Sequence, residues 1–116
     1  MRRPEYLYVH EMRAAAARIV DIVGASDLQE PERERDRVDA LLWNYTVLGE
    51  AAASLSQEFR EQHAGIVWRR PIGLRNRIVH GYWSIDTEIL IVTAKNDLPG
   101  LLEQLDELLI CLEQDP

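Results

Sequence analysis

Residues 75–83, RNRIVHGYW, bring three polar side chains close together in the sequence, and two of them can act together on a phosphodiester. The guanidinium of Arg75 can contact phosphate oxygens through two parallel N–H donors. The imidazole of His80 can transfer protons, because its ordinary pKa lies close to neutral pH. Tyr82 adds a phenol that neither task requires. The spacing therefore indicates either a site for chemistry on phosphate or a polar helix terminus without a chemical role.

A short helix is predicted to position these side chains. Pro71 suits its first turn, where a missing N–H has no helical partner. Gly81 suits the position just past its end, which favours positive φ. The helix then runs from about residue 71 to residue 80. His80 lies in the last turn, where the helix dipole favours a cation. Arg75 can lean toward the same end, and Tyr82 follows the cap.

Three longer segments repeat apolar residues at alternating spacings of three and four, which is typical of helices packed nearly parallel. The first segment ends near Gly24, and residues 24–34 are expected to form a connection. The stripes are Tyr8, Met12, Ala15, Ile19 and Ile22; Val38, Leu41, Tyr45, Leu48, Ala52, Leu55 and Phe59; and Leu98, Leu101, Leu105, Leu108 and Leu112.

The run EILIVTA, residues 88–94, has the composition of a strand but follows Asp86, a good helix N-cap, so we expect a short helix. Together these segments predict an all-α, up-and-down bundle of about four or five helices. We expect it to form a single domain over residues 1–116. The second long helix also has a second apolar stripe: Trp43, Val47, Ala51 and Ser54. A helix with two apolar stripes needs two packing partners, and the second can come from the same chain or from another subunit.

The charge of the chain is unevenly distributed. The net charge of −7 over 116 residues argues against general coating of nucleic acid. Residues 66–83, however, include four arginines and no acid, and such a patch can hold a short anionic segment. The one cysteine, Cys111, is expected to be a small core residue in a reducing cytoplasm. Neither a signal peptide nor a membrane-spanning segment is predicted.

The pattern Arg75-x4-His80-x-Tyr82 is similar to the Arg-x4-His-x-Tyr motif of the HepT toxins, a branch of the HEPN superfamily of helical ribonucleases. LGEAAASLSQEFR, residues 48–60, resembles the GEA-containing helix of that family. The acidic residues 86–88 and the segment NDLPGLLEQLDELL, residues 96–109, also stand where the family has such segments. The resemblance extends from about residue 6 to residue 112. Pro71 departs from the family pattern at the start of the motif helix.

The resemblance implies a homodimer of helical bundles with a shared cleft. Arg75 and His80 of both subunits would line the cleft, with Asn76 supporting them. It also implies metal-independent cleavage of RNA to 2′,3′-cyclic phosphate and 5′-OH ends. In this chemistry the imidazole transfers protons and the guanidinium stabilises charge on the phosphoryl oxygens.

The resemblance further implies a partner protein. In a type VII toxin–antitoxin module, a nucleotidyltransferase antitoxin of the MntA type would silence the toxin by transferring AMP from ATP to Tyr82. The toxin would act as a homodimer, either alone or in a larger complex with the antitoxin. The alternative is a non-catalytic helical binding module that acts as partner subunit of a nucleotidyltransferase. In that case Arg75 and His80 only shape an interface, and activity on RNA decides between the two.

No metal or cofactor is expected from the remaining residues. His10, His63 and His80 are too scattered to indicate a metal site, and no glycine-rich loop suggests nucleotide binding. Asn44 and Glu50 are expected to form exposed or interface hydrogen bonds rather than to react. Trp68 and Trp83 either stack on bases or, as we expect, pack in the core or at an interface.

Overall fold

Helices make up most of the computed structural model, which describes residues 3–25 and 31–114. Over these ranges the chain forms six α-helices, one turn of 3-10 helix and no β-strand, which confirms the all-α prediction. The helices are α1 (Glu5–Gly24), α2 (Pro31–Ser54), α3 (Gln57–Gln62), α4 (Arg69–Gly81), α5 (Thr87–Asn96) and α6 (Leu98–Gln114), and the 3-10 turn is Tyr82–Ser84.

The three heptad stripes meet in one hydrophobic core. Helix α1 packs along α2 and α6, and α2 packs on its other side against α4. Met12 and Ile19 of α1 and Leu105 of α6 have no exposed surface. Complete burial of such a side chain contributes about 1.5–3 kcal/mol to folding, so these contacts define the bundle.

The second long helix ends earlier than its stripe predicts. Helix α2 stops at Ser54, and Ser56 caps α3 by accepting a hydrogen bond from the N–H of Phe59 at 3.1 Å. The Ser56 N–H donates in turn to the carboxylate of Glu5 at 3.3 and 3.4 Å. Leu55 and Phe59 remain buried, because α3 continues along the same core after the break. The break adds a helix beyond the predicted four or five.

The connection after α1 is shorter than the sequence predicts. Helix α1 ends at Gly24 as predicted. Helix α2 already begins at Pro31, where proline suits the first turn, so residues 31–34 are helical. Residues 26–30 of the predicted connection lie outside the described residues.

The short helix at EILIVTA is confirmed as α5. The carboxylate of Asp86 accepts a hydrogen bond from the N–H of Glu88 at 3.0 Å and so caps the helix. The hydroxyl of Tyr45 on α2 donates to the carbonyl of Leu90 at 2.7 Å, which joins α5 to the core. Burial raises the pKa of that phenol. Within residues 3–25 and 31–114, no helix is both long enough and apolar enough to cross a membrane.

Two exposed features differ from the apolar pattern. Cys111 lies on the surface of α6, beside the leucine stripe rather than within it, so the predicted core position is wrong. The second stripe of α2 is only partly exposed. Trp43 is 68% exposed and Val47 is half-buried, whereas Ala51 is 2% exposed and belongs to the core. Trp43 is therefore the most exposed part of this stripe.

Helices α2 and α4 approach closely at Gly49. A Cβ atom added there would lie 2.5 Å from the carbonyl oxygen of Pro71 and 2.9 Å from Cγ of Arg75, and would clash with Cβ of Arg75. Only a residue without a side chain fits this contact. The contact brings the next residue of α2, Glu50, beside α4.

Candidate active site

A buried tryptophan anchors the N-terminal end of α4. Trp68 is 5% exposed, and its indole N–H donates to the carbonyl oxygens of Arg60 at 3.2 Å and His63 at 3.1 Å. The helix begins at Arg69, two residues before the predicted start, and Pro71 still falls in its first turn. The expectation that Trp68 packs is confirmed, and its packing fixes the origin of the helix.

The other end of α4 runs directly into the 3-10 turn. Gly81 has φ −168° and ψ 52°, and positive φ occurs at none of the described residues. The predicted left-handed cap at Gly81 is therefore wrong. The hydroxyl of Ser84 donates to the Gly81 carbonyl at 2.8 Å, and the Ile85 N–H donates to the Tyr82 carbonyl at 3.3 Å. These bonds satisfy the carbonyl of Gly81, the last residue of α4, and that of Tyr82 in the 3-10 turn, with no residue in the left-handed conformation.

The guanidinium of Arg75 is held by two acceptors. One terminal nitrogen donates to the side-chain oxygen of Asn76 at 2.8 Å, and the other lies 2.6 Å from Oε2 of Glu50. Its Nε is buried and makes no hydrogen bond within the described chain. Arg75 is therefore tied to α2 and does not lean toward the end of α4. The predicted support by Asn76 has a direct structural counterpart, because Asn76 contacts the guanidinium itself.

Glu50 is the site residue whose role the sequence analysis missed. It was expected to form an exposed or interfacial hydrogen bond, and it instead pairs with Arg75 across the α2–α4 contact. The available signal was its place directly after Gly49, since a glycine inside a heptad helix marks a close approach of another element. Arg75, the partner of Glu50, lies 25 residues away in the sequence. Helical periodicity does not predict contacts between residues so far apart.

The imidazole of His80 is exposed in the last turn of α4. It makes no hydrogen bond or ion pair with any residue that the structure describes. Five residues along an α-helix correspond to about 140° of rotation, so His80 and Arg75 leave α4 on different sides. A single protomer therefore presents both groups on one helix but does not direct them toward one point.

The two aromatic residues after α4 are largely exposed. Tyr82 is 61% and Trp83 is 75% exposed. Their rings contact each other edge to face, with centroids 5.4 Å apart and an angle of 82° between planes. Trp83 does not enter the core, so that part of the prediction is wrong, and packing at an interface stays a prediction.

The described residues include no cluster of three or more His, Cys, Asp or Glu side chains that could hold a metal ion. His10 lies edge to face with Tyr6, with ring centroids 6.2 Å apart. His63 lies against Phe59, with ring centroids 4.6 Å apart. These two histidines have packing roles away from His80.

An exposed imidazole and an oriented guanidinium on one basic helix are groups that can act on a phosphodiester. The family model described as "Ribonuclease HepT-like" matches residues 12–108. The chain therefore belongs to the HepT-like ribonuclease family.

Several curated relatives resemble the chain. It is 31% identical over 70 residues to a Caldanaerobacter subterraneus protein named "Putative RNase", which covers 60% of this chain and 62% of that protein. It is 31% identical over 62 residues to the "Probable ribonuclease HepT" of Thermococcus cleftensis, covering 53% and 56%. A further "Putative RNase" of Methanocaldococcus jannaschii is 23% identical over 105 residues, covering 90% and 96%. The match spans about six-tenths of the length of the first two relatives. No solved structure matches significantly.

Proposed function

We propose that this chain is the toxin ribonuclease of a type VII toxin–antitoxin module and that it cleaves cytoplasmic RNA without a metal ion. Membership in the HepT-like ribonuclease family supports this proposal. The observation that supports it most directly is that α4 presents both the exposed imidazole of His80 and the guanidinium of Arg75, which Asn76 holds by a hydrogen bond.

The site is proposed to be completed by a second copy of the chain. Because Arg75 and His80 leave α4 on different sides, one protomer offers a single imidazole and a guanidinium that do not converge. Two copies related by a twofold axis would supply two imidazoles and two guanidiniums to one cleft. In-line cleavage can use both imidazoles, since one proton must be removed and another delivered.

The proposed reaction transfers the phosphoryl group within the RNA strand. The 2′-oxygen attacks the adjacent phosphorus as one neutral imidazole takes the proton of the 2′-hydroxyl. The bond between phosphorus and the 5′-oxygen breaks, and the imidazolium of the partner's His80 gives that oxygen a proton. Arg75 donates hydrogen bonds to the non-bridging oxygens, where negative charge accumulates in the transition state. The products are a 2′,3′-cyclic phosphate and a 5′-hydroxyl.

Replacement of His80 tests this proposal. We expect His80→Ala to lower RNA cleavage by about 10²–10⁴-fold, the contribution of a positioned general acid or base. Its melting temperature should stay near that of the wild type, since His80 is exposed and lacks side-chain partners within the described chain. Cleavage of labelled RNA and identification of the product ends by mass spectrometry provide the measurement.

The exposed His10→Ala is the matched control and should cleave RNA at the wild-type rate. Arg75→Ala should also abolish cleavage, but it removes packing at Gly49 and its melting temperature should fall. Cleavage that persists in His80→Ala, or that stops when EDTA is added, contradicts the proposed chemistry.

Tyr82 is proposed as the point at which a partner silences the toxin. In this step the phenol oxygen attacks the α-phosphorus of ATP, pyrophosphate leaves, and a base of an MntA-like nucleotidyltransferase takes the phenol proton. The exposure of Tyr82 gives a transferase access to this hydroxyl. The transferred AMP would bring a phosphate close to the motif, where it would compete with RNA for the cations and fill the cleft.

Co-expression with a nucleotidyltransferase antitoxin and intact-mass analysis test the modification. We expect a mass gain of one or more AMP units and loss of cleavage. Tyr82→Phe should show neither change and should remain active beside the partner. The exposed Tyr6→Phe is the matched control and should be modified like the wild type. AMP found on another tyrosine, or an unchanged mass, contradicts this step.

One observation favours the non-catalytic binding module instead. Glu50 already pairs with the guanidinium that the phosphate would need. In a binding module this pair would simply join α2 to α4, and His80 would remain an interface residue. The wild-type chain would then leave RNA intact under every condition in which it binds its nucleotidyltransferase partner.

A further inference from the structure

A second basic surface lies on α4, away from the Arg75–Glu50 pair. A groove of about 760 Å³ runs between α4 and the helices α5 and α6. Three arginines line its α4 side, and none of their side chains forms an ion pair or hydrogen bond with a described residue: Arg69, Arg70 and Arg77. We call this the α4–α6 groove.

The floor of the α4–α6 groove is apolar. Val67, Leu74, Ile89 and Leu101 contribute to it, and Val67 and Ile89 are 43% and 37% exposed. Asp97 is its single acidic lining residue. Three cations around an apolar floor, in a chain of net charge −7, favour an anionic ligand that also has apolar faces.

Helix geometry relates this groove to His80. Positions 69, 73, 77 and 80 fall within about 80° of arc on an α-helix, so Arg69, Gly73, Arg77 and His80 form one row. The row extends about 16 Å along the axis. Arg75 lies about 160° from Gly73, on the side that faces α2. The row thus leads from the imidazole toward the N-terminal end of α4.

We propose that the α4–α6 groove binds the single-stranded RNA that flanks the cleaved bond. Arg69, Arg70 and Arg77 contact its phosphates, and the apolar floor receives its unstacked bases. A single strand fits this combination because its bases are free to turn onto a protein surface, whereas a duplex presents phosphates and hides its bases. The proposal rests on the proposed ribonuclease function, and it assigns the groove to positioning rather than to chemistry.

Gly73 offers a test that leaves the fold intact. It lies in the groove between Arg69 and Arg77, and a Cβ atom added there meets nothing within 4 Å. Any side chain other than proline is also a better helix former than glycine. Gly73→Glu, Gly73→Lys and Gly73→Ala should therefore fold. At the same position in the row they place a negative charge, a positive charge and no charge, respectively.

Binding is measured by fluorescence anisotropy with a labelled single-stranded oligouridylate, on full-length protein bearing His80→Ala so that the probe stays intact. We expect Gly73→Glu to weaken binding about tenfold, Gly73→Lys to bind at least as tightly as the parent, and Gly73→Ala to match it. Each of the three arginines changed to Gln should make the slope of log K against log salt shallower by about 0.7. Arg18→Gln, an exposed arginine of α1, is the control and should leave the slope unchanged.

Cleavage of two substrates separates this proposal from the ribonuclease function. With His80 intact, Gly73→Glu should cut a long single strand slowly but cut the dinucleotide UpU at the wild-type rate, since UpU does not reach the groove. Equal binding by Gly73→Glu and Gly73→Lys overturns the groove assignment, whether or not RNA is cut. The groove assignment is also overturned if duplex RNA or polyglutamate displaces the labelled probe more strongly than unlabelled oligouridylate does. Displacement by polyglutamate would indicate that the groove binds a protein. A wild-type chain that binds through the groove but cuts neither substrate contradicts only the catalytic assignment.

Discussion

Arg75 occupies an unusual position for a residue proposed to contact phosphate, because a carboxylate already contacts it. The pair with Glu50 orients the guanidinium, and the same contact offsets its positive charge. Glu50 is 59% exposed at its side chain, so water and salt weaken the pair and a phosphate can compete for the same N–H groups. Glu50 therefore favours phosphate binding by orienting the guanidinium and opposes it by offsetting the positive charge.

Substitution of Glu50 separates these two contributions. Glu50→Gln keeps an oxygen acceptor for Arg75 and removes the negative charge, so we expect a lower KM for RNA and a kcat near that of the wild type. Glu50→Ala removes both, so we expect kcat to fall by about tenfold or more. Steady-state kinetics on one RNA substrate give both constants. The same kcat in both variants would show that Glu50 does not position the guanidinium.

The proposed site residues could be chosen from the sequence because they lie within eight positions, in α4 and in the 3-10 turn that follows it. Asn76 follows Arg75 directly, and a contact between neighbours needs no tertiary information. Glu50 could not be assigned, because its contact depends on how closely α2 and α4 pack. The prediction of a left-handed cap at Gly81 failed because the backbone continues past Gly81 into a 3-10 turn, and that turn depends on the hydrogen bond from the Ser84 hydroxyl to the Gly81 carbonyl.

At the scale of helices, the contact at Gly49 determines whether Arg75 and Glu50 meet. We expect Gly49→Ala to lower the free energy of unfolding by about 1–3 kcal/mol, because the new methyl group must push α4 away from α2. RNA cleavage should fall as well, since the same displacement separates Glu50 from Arg75. Urea denaturation followed by circular dichroism measures the stability change.

Gly100→Ala is the matched control for this substitution. Gly100 is also helical, and a Cβ atom there meets nothing within 4 Å, so we expect stability equal to or above that of the wild type. If the two variants are equally stable, α2 and α4 are not in the close contact described here.

The long helices were predictable because their apolar spacing reflects burial directly. Because this spacing reflects burial and not backbone continuity, it did not predict the break after Ser54. Leu55 and Phe59 are buried on the same core from either side of the break, so the apolar repeat continues while the backbone does not. The signal at this point was Ser56, a preferred N-cap residue, and it is local rather than periodic.

At the scale of the whole molecule, the proposed mechanism requires a dimer. Trp43 is the most exposed member of the second stripe on α2, and Glu50 follows it by two turns on the same helix. We expect light scattering to give the mass of a dimer at micromolar concentration. Trp43→Glu should shift the protein to a monomer and abolish cleavage, because a charge would be buried at the interface.

Ile110→Glu tests whether this effect is specific to that face. Ile110 is 55% exposed on α6, so its substitution also adds a charge at an exposed apolar residue. It should leave both the dimer and the cleavage rate unchanged. A wild-type monomer that cleaves RNA would contradict the composite site.

The row of arginines on α4 has a direction, and this has a consequence for stoichiometry. Arg69 and Arg77 both precede His80 on α4, so each groove extends from the imidazole in a single direction, toward the N-terminal end of the helix. A twofold axis would make the two grooves of a dimer point oppositely, whereas an RNA strand has chemically different 5′ and 3′ directions. A strand crossing the shared cleft would meet one groove with its 5′ flank and the other with its 3′ flank, so identical grooves could not both fit it equally well. One strand could therefore lie in its favoured direction in only one of the two grooves of such a dimer.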